Sequence, residues 1–136
     1  MDHREALAFI QTEHRCVLAT HRRDGGFQMS PVLATVDADD RVVISTREAS
    51  AKVRNLRRNP HASLCALSAR FFGQWFAVEG PVDIVSLPEA MEPLVDYYRR
   101  AVGEHPDWDD YRAAMQRDGR VLLRMTVERS GPTQQG

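Results

Sequence analysis

The sequence predicts a mainly β, α+β fold: a small closed or partly split β-barrel of about six antiparallel strands with flanking helices. Three observations carry this. Apolar residues alternate with period two in short runs bounded by Gly, Pro and Asp turns. The helical segments fall between those runs too irregularly for repeated βαβ units. Pro31, which has no N–H to give to a ladder, sits inside one run, so that strand lies at an edge or carries a bulge and the barrel wall has an opening there.

Taken in order, Arg4 to Glu13 sets Ala6, Leu7 and Ile10 on one face against charged residues, an amphipathic helix placed as a lid or at a dimer side. Cys16–Thr20, the turn Asp24-Gly25-Gly26 and Phe27–Val36 read as strand, hairpin turn and strand. After the polar turn Asp37–Asp40, the β-branched run Val42-Val43-Ile44 makes Arg41–Thr46 the third strand of a meander. Ala49–Asn59 changes to helical spacing through Val53 and Leu56, and Pro60 stops it. Ala62–Leu67 returns to strand. In Trp75–Val85, Phe76, Val78, Val82 and Ile84 share one face and Ala77, Glu79, Pro81 and Asp83 the other, as in a barrel strand with one wet face. Leu87–Val102 carries Met91, Leu94, Val95, Tyr98 and Val102 at helical spacing and ends at Gly103. Asp107 is an N-cap for a further helix to about Gln116, with Asp109 and Asp110 in its first turn. Arg120–Glu128 alternates as the last strand, and Arg129–Gly136 reads as a loose polar tail.

The 136 residues suit one domain, residues 1–136 with 129–136 as a flexible end. Hydrophobic residues at 43% and charged residues at 27% set aside disorder, and no apolar run reaches the roughly 20 residues that span a bilayer. A net charge of −1 gives no overall basic field for nucleic acid or an anionic membrane, so any basic site is local. The N-terminus lacks the basic and apolar regions of a secretory signal, which points to the cytoplasm. Cys16 and Cys65 lie in apolar runs without CxxC or zinc spacing and read as reduced core thiols. His105 beside Asp107, Asp109 and Asp110 fits a helix start better than a metal site, and Trp108 and Tyr111 fit packing better than a substrate platform. No metal site and no acid–base dyad is expected.

Of the 18 basic side chains only Lys52 is lysine. A compact ammonium reaches a single phosphate oxygen where a guanidinium fork does not fit, so its survival is either chance or the mark of a tight site. The helix entered at Thr46-Arg47-Glu48-Ala49-Ser50-Ala51-Lys52 supplies what a phosphate needs: free backbone N–H groups, two hydroxyls and a cation within the first turn. By spacing alone, an ordinary capped surface helix remains the alternative.

The order Leu18-Ala19-Thr20, Asp24-Gly25-Gly26, Gln28-Met29-Ser30-Pro31, Ile44-Ser45-Thr46, then the unbroken run Ala51 to Ser63, then Val78-Glu79-Gly80, resembles the pyridoxamine 5′-phosphate oxidase-like, FMN-binding split-barrel superfamily. Gly103 to Arg112 and Arg120-Val121-Leu122-Leu123 are similar to its actinobacterial subgroup associated with the deazaflavin F420. The resemblance runs from about Leu7 to Val127.

It implies a homodimer with two interfacial cofactor sites, each built from both subunits. Lys52 matches the lysine on the cofactor phosphate, Thr46 and Ser50 match nearby hydroxyls, and Asn55 matches a polar residue of the same site. Ser30 and Pro31 correspond to the strand along the ring, and Gln74 and Trp75 to the region arriving from the second subunit. F420 is the implied cofactor, with FMN the alternative; Arg54, Arg57 and Arg58 offer a groove for the oligoglutamate tail of F420, or form a solvated helix face. The implied activity is hydride transfer to a small planar acceptor such as a quinone, enone or tetrapyrrole, with a non-catalytic carrier as the competing reading. True pyridoxamine phosphate oxidases carry a C-terminal arginine and histidine for pyridoxal phosphate. Here the chain ends Val127-Glu128-Arg129-Ser130-Gly131 and a polar tail, which argues against vitamin B6 oxidation.

Overall fold

Each alternating run finds its antiparallel partner. The structure is a computed structural model that describes residues 2–132. The strands are β1 (Arg15–His21), β2 (Phe27–Val36), β3 (Val42–Arg47), β4 (His61–Leu67), β5 (Trp75–Val85), β6 (Arg120–Met125) and a short β7 (Arg129–Gly131). The helices are α1 (Arg4–Thr12), α2 (Ala51–Arg58), α3 (Met91–Ala101) and α4 (Trp108–Asp118). The order β4-β1-β2-β3-β6-β5 closes through β4–β5 into a six-stranded barrel. No described helix is long and apolar enough to cross a membrane.

Two strands change partners midway, which splits the barrel into two sheet halves. Trp75–Pro81 of β5 pairs with β4, whereas Val82–Val85 pairs with β6. Likewise β2 pairs with β1 from Phe27 to Leu33 but with β3 only from Ala34 to Val36. Pro31 therefore lies where β2 has one neighbour, as its missing donor requires.

The barrel interior is filled by Cys16, Leu18, Ile44, Leu64, Phe76, Val78, Leu123 and their neighbours. Its two ends are plugged by helices. α1 inserts Ala6 and Ile10 near Phe76, so it is a structural plug and not a lid, the first of the two placements its amphipathic pattern allowed. α2 inserts Val53 and Leu56 at the opposite end, where Asn55 Nδ2 donates to Thr20 Oγ1 at 3.1 Å. α3 and α4 cover the outer face of β3 and β6, packing Leu94, Val95, Tyr97, Tyr111 and Met115 on Val43 and Leu122. Asp107 caps α4 as expected, its carboxylate accepting from Asp110 N–H.

The last strand departs from the sequence expectation. β6 stops at Met125 because the chain bends around Gly80: Thr126 N–H donates to Pro81 C=O at 3.0 Å and Glu128 N–H to Glu79 C=O at 2.9 Å. Arg129–Gly131 then pairs with β5, so the first part of the presumed tail is ordered sheet; residues 133–136 lie outside the described residues. A Cβ at Gly80 would overlap the Thr126 carbonyl oxygen, and backbone cannot step aside as a side chain can. We predict that Gly80→Ala costs about 3 kcal/mol, read as a lowered urea midpoint at unchanged slope.

Candidate functional site

The split between β2 and β3 is held open by a phenol. The register that pairs Thr35 with Val43 and Ala34 with Ile44 would next pair Leu33 with Ser45. Instead the Tyr97 hydroxyl, from α3, donates to Leu33 C=O at 2.8 Å. Burial pushes the Tyr97 pKa up, and the Ser45 backbone, facing the same oxygen from β3, opposes that rise. Tyr97 thus stands in for a ladder rung, and beyond it the two strands part.

The parting leaves one edge of β2 unpaired. Ala34 N–H donates to His14 C=O, and hydrogen-bonded pairs alternate along an antiparallel ladder. Val32, Ser30 and Gln28 therefore bond toward β1, while Met29 N–H, Pro31 C=O and Leu33 N–H point into the split. Ser30 itself turns its side chain inward, its Oγ buried without a partner, as is Gln28 Oε1. Pro31 faces outward in a row with Phe27, Met29 and Leu33, of which Met29 is 65% exposed.

The chain leaves β3 at Arg47 and enters α2 at Ala51. Ser50 is its N-cap, accepting from Val53 N–H at 3.4 Å, and Thr46 Oγ1 lies 3.5 Å from Ser50 Oγ. Lys52 follows one residue into the helix, half-buried. Burial, and after it the neighbouring Arg120 guanidinium, holds the Lys52 pKa below the ordinary lysine value. Among the described residues no carboxylate lies within ion-pair distance of Lys52. Ser45, which faces the Tyr97 hydroxyl, lies two residues before Arg47, and Arg47 is opposite Arg120 in the β3–β6 ladder, so the Arg47–Arg120 pair stands one step along β3 from the Leu33 edge.

The structure thus gathers Thr46, Ser50 and Lys52 at the end of β3 and the start of α2, while Ser30 and Pro31 lie on the stretch of β2 that β3 does not pair. Asn55 is close by, but its amide is engaged inside the chain, donating to Thr20 and accepting from Arg58 at 3.1 Å. Arg54 donates to Ala49 C=O at 2.7 Å and has no described carboxylate partner. Gln74 and Trp75 are exposed at the far end of the β4–β5 hairpin, six residues from Pro81. That is about 20 Å along the strand from the α2 end, so one chain does not join them to Lys52. Sequence reasoning missed Tyr97 and Arg120; the only available signal was Arg120 opening a strand directly after Gly119.

Other expectations divide. Cys16 is a buried thiol pushed up to about 12 by burial, but Cys65 sits on the outer sheet face and is only partly covered. His105, Trp108 and Tyr111 pack with Tyr98 in an aromatic cluster, and the Tyr111 hydroxyl donates to Leu94 C=O. A cavity of about 630 Å³ lined by His3, Leu7, Asp39 and Arg41 among others contains none of the predicted site residues.

Fold and site together define a split-barrel protein whose unpaired strand edge adjoins a cluster of cations. The pyridoxamine 5′-phosphate oxidase family profile matches residues 3–133, and the chain belongs to that family. Among solved structures it is similar to a conserved hypothetical protein from Mycobacterium tuberculosis, with 26% identity and a TM-score of 0.77 over 96% of this chain and 82% of that one. It is similar in fold to an F420 reductase, with 21% identity and a TM-score of 0.70 over 91% of this chain and 94% of the other. A heme binding protein from Mycobacterium smegmatis shares the fold at 17% identity and a TM-score of 0.65, over 92% of this chain and 52% of that one.

Tyr97→Phe removes the hydroxyl that replaces the Leu33–Ser45 rung and leaves a carbonyl without its donor. The expected loss is about 1 kcal/mol of stability, measured by urea unfolding.

Proposed function

We propose that this chain is an F420-dependent oxidoreductase of its family, working as a homodimer and passing hydride to a small planar organic acceptor. The observation that carries the reading is Lys52: a half-buried cation in the first turn of α2 with no carboxylate partner among the described residues. Such a site calls for an anion, and the hydroxyls of Thr46 and Ser50 add donors around it.

The residues fit a phosphate-bearing tricyclic ring. Lys52 neutralises the phosphate, and the α2 backbone N–H groups assist at the helix start. The β2 edge offers donors at Met29 and Leu33 and an acceptor at Pro31 to a ring that carries both carbonyls and an imide N–H. The chemistry that F420 supplies when bound is hydride transfer at C5. The protein's part is to position the ring and shield one face; no side chain is assigned as catalytic. Support for F420 comes from the subgroup resemblance and from the fold shared with an F420 reductase. Support for a dimer comes from the exposed row Met29, Pro31, Leu33 and from Gln74 and Trp75, which need a second copy to reach a site around Lys52.

One observation favours FMN as the second reading. Arg57 is paired with Glu48 at 3.0 Å and Arg58 is bonded to His21 C=O and Asn55. Arg54 alone of the three is left for an oligoglutamate tail, which F420 has and FMN lacks.

Parallel fluorescence titrations with F420 and FMN test the reading. F420 is expected to bind more tightly, and Lys52→Ala to weaken it at least tenfold, about 1.4 kcal/mol. Tighter FMN binding overturns the cofactor choice, and undiminished affinity in Lys52→Ala removes Lys52 from the site. An anion raises the Lys52 pKa that the free protein holds low. Affinity is therefore full below the free protein's Lys52 pKa and is lost as pH rises through it, earlier than for an ordinary lysine. Oxidation of reduced F420 by a quinone in steady state separates an enzyme from a carrier.

A further inference from the structure

Three cations and one carboxylate meet where the loop before α2 docks on the loop before β6. Glu48 N–H donates to Gly119 C=O at 2.9 Å, which joins the two loops, and Ser50 N–H donates to Arg47 C=O at 3.1 Å within the first of them. Arg47 and Arg120 are directly opposite in the β3–β6 register. Asp118 Oδ2 lies 3.7 Å from Arg120 Nε and 3.9 Å from Arg47, within ion-pair range but beyond hydrogen-bond distance of either. Glu48, the other acid of these loops, is committed to Arg57. Lys52 adds a cation with no carboxylate partner among the described residues. Arg47, Arg120 and Lys52 against Asp118 leave an excess of two positive charges.

Arg120 is the least solvated of the arginines here. Its side chain is 27% exposed, against 63% for Arg47, and its Nε is buried with no hydrogen-bond acceptor. A partly buried guanidinium beside a second cation is costly unless an anion joins them. The phosphate monoester of FMN carries about −1.5 to −2 charges near neutral pH, which matches the excess, and the phosphodiester of F420 carries one, which offsets half of it. The guanidinium also presents a fork of donors to phosphate oxygens, where the ammonium presents a point charge.

We infer that Arg120 is the second cation of the cofactor phosphate site, gripping the phosphate together with Lys52. The inference rests on the proposed cofactor reading and adds a binding residue to it. It also gives the lone lysine a reason. With a broad guanidinium already on one side of the phosphate, the compact ammonium fits the other.

The test uses two ligand pairs that differ in the group attached to the terminal ribityl oxygen: FMN against riboflavin, and F420 against its phosphate-free chromophore. The full chain, Arg120→Gln, Arg120→Lys and Lys52→Ala are titrated with all four, and circular dichroism establishes that each variant is folded. Wild type is expected to prefer the phosphorylated member of at least one pair. Arg120→Gln is expected to lose at least tenfold of that preference with the phosphate-free affinity unchanged, and Arg120→Lys to recover part of it. The affinity of Arg120→Gln for the phosphorylated member is also expected to fall less steeply with salt than that of wild type. Retention of the wild-type preference in Arg120→Gln, while Lys52→Ala loses it, overturns the role of Arg120 and leaves the phosphate site standing. A wild type with no preference in either pair overturns the cofactor reading itself. Should Arg120→Gln not fold, Arg120→Lys decides alone: a threefold or greater loss of preference supports the inference, and an unchanged preference overturns it.

Discussion

At Leu33 a phenol from α3 takes the place of a ladder rung between β2 and β3, and this substitution of a side chain for a peptide governs what lies on either side. Below it, β2 and β3 are an ordinary antiparallel pair running into the Asp37–Asp40 turn. Above it, β2 keeps only β1 as a neighbour and presents backbone groups to the split. The Tyr97 hydroxyl can hold that position because α3 packs firmly on the outer face of β3 and β6 through Leu94 and Val95. A rung formed by the peptides themselves would carry the two strands on together and seal the edge. The split is therefore a consequence of helix packing on the far side of the sheet.

Charge accumulates at the same place for a related reason. β3 and β6 end together at Arg47 and Arg120, and their turns lead into α2 and out of α4. The α4 C-terminus and its Gly119 cap bring Asp118, the α2 start brings Lys52, and both loops are fastened by the Glu48–Gly119 hydrogen bond. Nothing among the described residues balances the cations except Asp118. Cations gathered beside an open, donor-bearing strand edge make a site suited to a ligand that joins a phosphate to a planar ring.

Much of the barrel was legible in the sequence because its causes are local. The alternation in Trp75–Val85, the turn at Asp24-Gly25-Gly26 and the cap at Asp107 each depend on a few adjacent residues. Pro31 even announced the opening in the wall. The features that were missed all depend on contacts distant in sequence. Tyr97 meets Leu33 across 64 residues, and nothing near either marks the pair. The end of β6 at Met125 is set by its passage over Gly80, so alternation carried the expected strand three residues too far. α1 looked like a surface lid because its pattern records an apolar face and not the barrel end it enters. In the site, Lys52 stood out by composition, whereas Arg120 was hidden among many arginines. Asn55 matched a family position, yet its amide is tied to Thr20 and Arg58.

Amide hydrogen exchange at Met29 and Leu33, with and without saturating F420 or FMN, is the most direct test of the open edge as the ring's binding place. Fast exchange is expected at both amides in the free protein, with Ser30 and Val32 protected, and clear slowing at Met29 or Leu33 when the ligand is bound. Protection of Met29 and Leu33 in the free protein, or unchanged exchange at both under saturation, would contradict that placement of the ring.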